Sequence, residues 1–328
     1  ELKTVNYNLA YAYFKIKEYE NAIPYFNTYI AQSKEDRNRL TDAYLRMADC
    51  NYISSKYWPA MDAYNKAIEL KCVDADYAAF QKGMSYGFVN KNDKKIEDLT
   101  KFVSTYKTSQ YLDDALYELG NTYTAEEMND KAISTFDNLI NNNKNSAYVA
   151  KSILKQGLIY YNTDKDDAAI TKFKKVVAEF PNSPESLEAV ATAKSIYKAN
   201  GKVGEYAAWV KTLSFVEVTD AELDNDMYES AEKQYLNNSP KKAIEGFTSY
   251  LAQFPNGLHA LKVHFYLAQL YFADKLEKNA IPHYDYVIAQ ARNEFTEQAL
   301  VRLSEIHLKD KNCELAISVL KQVETIAE

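Results

Sequence analysis

Histidine is the side chain most ready to move a proton or take a transition metal near neutral pH, and this chain has four of them. His259 and His264 are five positions apart, which is about 140° around a helix, so the two do not share a face. His264 falls at a position with a buried pattern, and His283 and His307 stand alone in the sequence. No metal site is expected from them. The three cysteines, Cys50, Cys72 and Cys313, show none of the close pair spacings used by zinc or redox centres, and they read as ordinary core or surface positions. One serine, Ser85, lies in a G-x-S-x-G spelling at Gly83 to Gly87, but inside an expected helix rather than on the strand-to-helix turn that activates such a nucleophile. The carboxylate pairs Asp113 with Asp114, Asp166 with Asp167, and Asp224 with Asp226 lie near expected helix starts. Negative charge there complements the helix dipole, so capping is the expected role rather than acid–base catalysis. The sequence therefore predicts no enzyme, no cofactor and no metal.

What remains is an excess of tyrosine, 28 residues, and the elements that carry it. Between Asp113 and Glu179 the chain states one unit twice: Tyr117, Leu119, Gly120, Tyr123, Ala132, Ile133 and Phe136, then Leu154, Gly157, Tyr160, Tyr161, Ala169, Ile170 and Phe173. A fixed period of this length marks a repeat array. A small residue recurs at Ala10, Ala48, Gly83, Gly120, Gly157, Ala193, Ala231, Ala268 and Ser304. A second series runs Ile23, Met61, Ile96, Ile133, Ile170, Ala207, Ile244, Ile281 and Ile317. The two rulers agree on nine copies. Within a copy the apolar residues fall at helical spacing, and Asn, Asp, Lys and Gly interrupt them, as in Glu127 to Asp130 and Asn162 to Asp166. Each copy is thus expected to be two antiparallel helices, A and B, joined by a tight turn, with the small residue of helix A facing the Ala of helix B.

This pattern resembles the tetratricopeptide repeat (TPR), and the resemblance runs along essentially the whole chain. It rests on the small residue, the Tyr three later, the Ala-Ile pair and the aromatic, here Gly157, Tyr160, Ala169, Ile170 and Phe173. The helix-ending Pro of the family survives at Pro181 and Pro255, and the copies are longer than the family's usual unit. The resemblance implies an all-α, αα-superhelical solenoid of about nine hairpins. The corners at residues 180–185 and 254–257 are similar to those of bacterial cell-envelope members, which would imply a periplasmic or outer-membrane address; a cytoplasmic one is the alternative. Their mechanical reading is that Pro stops the outgoing helix and Asn or Ser caps the next. Three copies depart from the pattern. Copy 3 has Lys95 where Ala is expected, so its helix B should start late. Copy 6 is followed by the longest interruption, giving either two stacks, 1–214 with repeats 1–6 and 215–328 with repeats 7–9, or one long corner in a continuous superhelix. Copy 9, with Ser304 and His307, is the weakest match.

An apolar stripe lies three before and four after the small residue of helix A. It holds Tyr7 and Phe14 in copy 1, Phe80 in copy 3, Tyr117 in copy 4, and Leu154 and Tyr161 in copy 5. Later it holds Tyr228 and Tyr235 in copy 7, then Phe265 and Phe272 in copy 8. Between these positions Tyr11, Met84 and Leu158 keep the face apolar, whereas Asn121 and its equivalents Asp49, Lys194 and Gln269 make it polar. In the TPR family these positions point to the concave, ligand-binding wall. Two readings stand: the stripe is buried between successive A helices, or part of it is an open, amphipathic groove for a peptide, since Tyr offers a large contact area with a polar tip. Some members grip a C-terminal carboxylate with Lys, Asn and Arg. Asn121, Lys151 and Lys155 come closest here, but Tyr117 and Leu187 stand where lysines are needed, so that mode is not expected.

A net charge of −7 with no dense Lys/Arg block argues against a nucleic-acid partner. No run of about 18 apolar residues is present to span a membrane. The chain begins at Glu1 without a Met and stops in expected helix, so it reads as an excised piece, with further repeats possible beyond both ends. The expected function is a scaffold that binds a peptide or protein face. Carbohydrate capture or an enzyme-accessory role, suggested by tyrosines able to stack on sugars, and a purely structural spacer are the alternatives.

Overall fold

A computed structural model describes residues 2–32 and 36–327, which hold eighteen helices and no strand. Internal contacts divide the chain into two units, Glu1–Phe180 and Pro181–Glu328. In the first unit the hairpins are α1 (Leu2–Lys15) with α2 (Tyr19–Gln32), α3 (Arg37–Ile53) with α4 (Tyr57–Glu69), and α5 (Ala75–Phe88) with α6 (Asn92–Thr105). They continue with α7 (Leu112–Ala125) and α8 (Asn129–Asn142), then α9 (Val149–Asn162) and α10 (Asp166–Glu179). The second unit pairs α11 (Pro184–Ala199) with the short α12 (Val203–Val210), α13 (Asp220–Leu236) with α14 (Pro240–Gln253), α15 (Ala260–Ala273) with α16 (Glu277–Ala289), and α17 (Thr296–Lys309) with α18 (Cys313–Ala327). Odd-numbered helices are the A helices and even-numbered ones the B helices. The interruption after copy 6 is the connection between α12 and α13. It closes on a capping box in which the Thr219 side chain accepts from the Glu222 N–H while Glu222 accepts from that of Thr219.

Every A-to-B turn is built the same way. One residue per copy enters the left-handed region: Lys17, Ser55, Asn90, Glu127, Asp164, Gly201, Asn238, Lys275 and Lys311. The next N–H reaches back five residues to close the helix end, as in Met128 N–H to the Tyr123 carbonyl (2.8 Å) and Lys165 N–H to that of Tyr160 (2.9 Å), the Schellman arrangement. Only copy 6 places a glycine there; elsewhere the hydrogen bonds and packing must offset a cost of about 1–2 kcal/mol for left-handed backbone. Of the two prolines, Pro181 follows α10 by two residues and Ser183 caps α11 by accepting from the Ser186 N–H at 3.1 Å.

All nine small residues of helix A are buried. The glycines show what the small volume is for. A methyl group at Gly120 would lie 2.5 Å from Phe136 Cε1, and one at Gly157 would lie 2.5 Å from Phe173 Cε1. The aromatic of helix B, with no exposure at either position, fills the space above the glycine, beside the fully buried Ala132 and Ala169. The expected Ala facing the small residue is therefore only half of the contact; the ring is the other half.

Copy 3 differs from expectation. Its helix B does not start late: α6 begins at Asn92, 37 residues before α8 begins at Asn129, as α8 begins 37 before α10 at Asp166. Lys95 sits in register at the Ala position, only 9% exposed. Its stem occupies the room left by Gly87, where a methyl would stand 3.3 Å from Lys95 Cδ. Its ammonium reaches Glu118 of the next A helix at 2.9 Å, which accounts for a buried charge that could otherwise not be tolerated.

Candidate functional site

The stripe on the A helices divides by position. Three before the small residue, side chains close against the next copy: Leu154, Tyr228 and Phe265 are buried, and Tyr7, Phe80 and Tyr117 are half-buried. Four after it, the face opens: Phe14, Tyr235 and Phe272 are half-buried and Tyr161 is 38% exposed. The intervening Tyr11, Met84, Asn121 and Leu158 are half-buried as well. Neither sequence reading holds for the whole stripe, and the division has exceptions: Tyr197 at the second position is buried and Val301 at the first is exposed.

In the first unit Tyr7, Tyr11 and Phe14 form a run of rings, with centroids 6.1 and 6.2 Å apart. The Tyr7 hydroxyl donates to Asp42 at 2.6 Å, and burial together with that carboxylate raises its pKa. Arg46 bridges Asp42 and Asp49 at 3.3 and 3.1 Å and covers the Phe14 ring. Asp49, expected on the open face, is instead buried. It accepts from Tyr64 at 2.8 Å and Tyr77 at 3.0 Å, while burial pushes its carboxyl pKa up.

Two cavities open on this face. One, of about 360 Å³, is lined in the first unit by Met84, Gly87, Phe88, Asn92, Lys95, Glu118, Asn121, Thr122 and Ala125. It exists because Gly87 replaces the ring that copies 1, 2 and 5 carry at that position. Phe88 forms an exposed wall and stacks on Tyr57 with centroids 4.7 Å apart. The second cavity, of about 320 Å³, lies in the second unit among Tyr235, Gln269, Leu270, Phe272, Ala273, Tyr284, Gln298 and Arg302. There the Tyr235 hydroxyl donates to Gln269 Oε1 at 3.1 Å, and the Arg302 guanidinium lies 4.9 Å from the Phe272 ring centre. Arg302 also pairs with Glu305 at 2.7 Å. The buried Tyr284 hydroxyl has no hydrogen-bond partner, a condition that costs about 1–3 kcal/mol.

His283 does not stand alone. Its Nδ1 lies 2.9 Å from that of His264, between stacked Tyr286 and Tyr271 rings. Burial, with the neighbouring imidazole, pushes the His264 pKa down to about 4, and burial lowers that of His283. Among the described residues no group of three or more His, Cys, Asp or Glu could hold a metal. Burial raises the thiol pKa of Cys50 to about 12 and of Cys72 to about 11, so both behave as core. The carboxylate pairs split. Asp113, Asp114, Asp166 and Asp167 lie in first turns, whereas Asp224 and Asp226 belong to α13's second turn. There Asp224 accepts from Tyr250 (2.5 Å) and the Leu258 N–H (2.8 Å), and Asp226 binds Lys194 and Lys198; their work is cross-linking, not capping. No described helix is long and apolar enough to cross a membrane.

An array of helical hairpins with small residues at each crossing and an aromatic, partly open A-helix face defines the class. Family models described as tetratricopeptide repeat match residues 4–36, 114–146 and 151–183, and the chain carries tetratricopeptide repeats there. No curated protein matches the chain. Among solved structures it is similar to MamA residues 41 to the end from Desulfovibrio magneticus RS-1, at 17% identity over 55% of this chain and 97% of that one, TM-score 0.44. It is also similar to YrrB, described as a TPR protein with an unusual peptide-binding site, at 17% identity over 56% and 89%, TM-score 0.44. A tetratricopeptide repeat protein from Parabacteroides merdae ATCC 43184 matches at 13% identity over 80% and 98%, TM-score 0.44.

Proposed function

We propose that the chain is a non-enzymatic scaffold that holds protein or peptide partners along the A-helix face of each unit. The observation that carries this reading is the pair of cavities of about 360 and 320 Å³ on that face, each bounded by side chains of consecutive A helices. A repeat array offers such extended surface rather than a closed pocket, which suits a peptide better than a small substrate. Tyr11, Phe14, Leu158, Tyr161, Tyr235 and Phe272 supply contact area without a large entropy cost on binding.

The test is selection of binders from a random-peptide phage library on the whole chain, followed by affinity measurement against variants. Leu158→Ala with Tyr161→Ala, and Phe272→Ala, should keep the circular dichroism spectrum and weaken selected peptides about tenfold or more. Ser134→Ala with Thr171→Ala, on exposed B-helix positions, should change nothing. Undiminished affinity in every A-face variant removes the proposal.

One observation favours carbohydrate as a second occupant: Phe88, 54% exposed and stacked on Tyr57, stands beside Asn92 and Asn121 in the first cavity. An aromatic wall with amide donors suits a sugar ring. A glycan array probed with the native chain and with Phe88→Ala decides it, since binding must occur and must vanish in the variant.

A further inference from the structure

We infer that the cavity between α15 and α17 takes the carboxylate side chain of an acidic residue in a bound peptide; this rests on the scaffold reading above and names the chemistry of one of its subsites. The inference starts from Tyr284. The same repeat position carries Phe26, Phe136, Phe173 and Phe247 in other copies, all fully buried and needing no polar partner. Only two copies place a tyrosine there. In copy 2 the hydroxyl of Tyr64 has an acceptor, Asp49 at 2.8 Å, which sits one residue after the small residue of helix A. In copy 8 that residue is Gln269, and its carbonyl already accepts from Tyr235. The Tyr284 hydroxyl is thus left buried without a partner, on a side chain that lines the cavity.

Among the polar groups around it Arg302 can only donate, and the amides of Gln269 and Gln298 carry donors as well as acceptors. Gln269 already accepts one bond from Tyr235 and carries an amide N–H₂ as donor. Arg302 offers five N–H donors and a permanent charge, and Glu305 engages it at Nη1. A group that satisfies Tyr284, Gln269 and Arg302 together must be an acceptor, and against a guanidinium it gains most as an anion. Tyr235 and Phe272 give the aliphatic stem of such a side chain an apolar wall. The hydroxyl oxygen is closed to water, so a ligand reaches it only when a side chain of the cavity wall shifts. Glu305 is the internal carboxylate that a ligand must outcompete.

The test uses the whole chain and fluorescein-labelled short peptides of one sequence, taken from the library selection, with Glu, Gln or Lys at the central position. The Glu peptide should bind about tenfold tighter than the Gln peptide and more so than the Lys peptide. Arg302→Gln and Tyr284→Phe should each weaken the Glu peptide more than the Gln peptide and so erase most of that preference. Glu305→Gln should tighten the Glu peptide a fewfold. Equal affinity for the three peptides, or a preference untouched by Tyr284→Phe and Arg302→Gln, overturns the acidic subsite while leaving the scaffold reading standing. Binding lost equally for all peptides in both variants also overturns it, since that marks a packing role. Absence of any binding up to about 1 mM removes both proposals.

Discussion

Copies 4 and 5 and copy 3 solve the same packing problem with different residues. In copies 4 and 5 a glycine on helix A and an alanine on helix B leave room for one buried ring, Phe136 or Phe173. In copy 3 the alanine becomes Lys95, the outward ring becomes Gly87, and the ammonium is neutralised by Glu118 of the next hairpin. Both place helix B at the same offset, so the hairpin geometry belongs to the repeat and not to any one side chain. What changes is the outer surface. The regular copies close it with an aromatic or Thr side chain, while copy 3 opens a cavity whose wall carries charge. A departure from the repeat pattern that still folds in register is therefore where a binding surface can arise.

That contrast can be broken in order of effect. Gly120→Leu should cost about 3 kcal/mol, because even a single methyl at that position would collide with Phe136, whereas Gly87→Ala should cost under about 1 kcal/mol, its neighbour being the flexible Lys95 stem. Chemical denaturation of the two variants checks it; equal losses would contradict the assigned packing. Glu118→Gln should cost on the order of 2 kcal/mol by leaving the Lys95 ammonium buried and unpaired, while Lys95→Ala with Gly87→Tyr, which restores the pattern of copy 5, should stay within about 1 kcal/mol of the parent. If the single and the double change cost the same, the ion pair is not what holds Lys95 in place. Tyr64→Phe should lose about 1 kcal/mol by removing a donor from buried Asp49, whereas Tyr284→Phe should be neutral or stabilising, since its hydroxyl has no partner to lose.

A pH dependence follows from the buried His264 and His283 pair. His264 titrates near 4 in the fold and near 6.5 when unfolded. Between those values the unfolded chain binds the extra proton, so stability is complete above about pH 6.5, falls as pH drops toward 4, and levels off below. His264→Gln with His283→Gln should flatten that part of the stability curve, measured by thermal unfolding across the range.

The nine-copy register was legible because small and aromatic residues recur at fixed offsets, from Ala10 to Ser304, and the helices follow it even in copy 3. The start of α6 is not legible from Lys95, because the compensations lie elsewhere: Gly87 is eight residues earlier and Glu118 is in the next copy. The His264 and His283 pair was missed because the two are 19 residues apart; folding the chain about the left-handed turn at Lys275 would have brought them together. The stripe was identifiable as one face of helix A. Which of its positions stay open was not, since that depends on the size and partners of side chains one copy further on, as with buried Asp49 and half-buried Asn121.

The A-helix face as the place of binding is most directly tested by hydrogen–deuterium exchange of the whole chain with and without a library-selected peptide. The account predicts added protection concentrated in odd-numbered helices, α5 and α7 or α15 and α17, with α8 and α18 little changed. Protection confined to the even-numbered helices, with α5, α7, α15 and α17 unaffected, would contradict it.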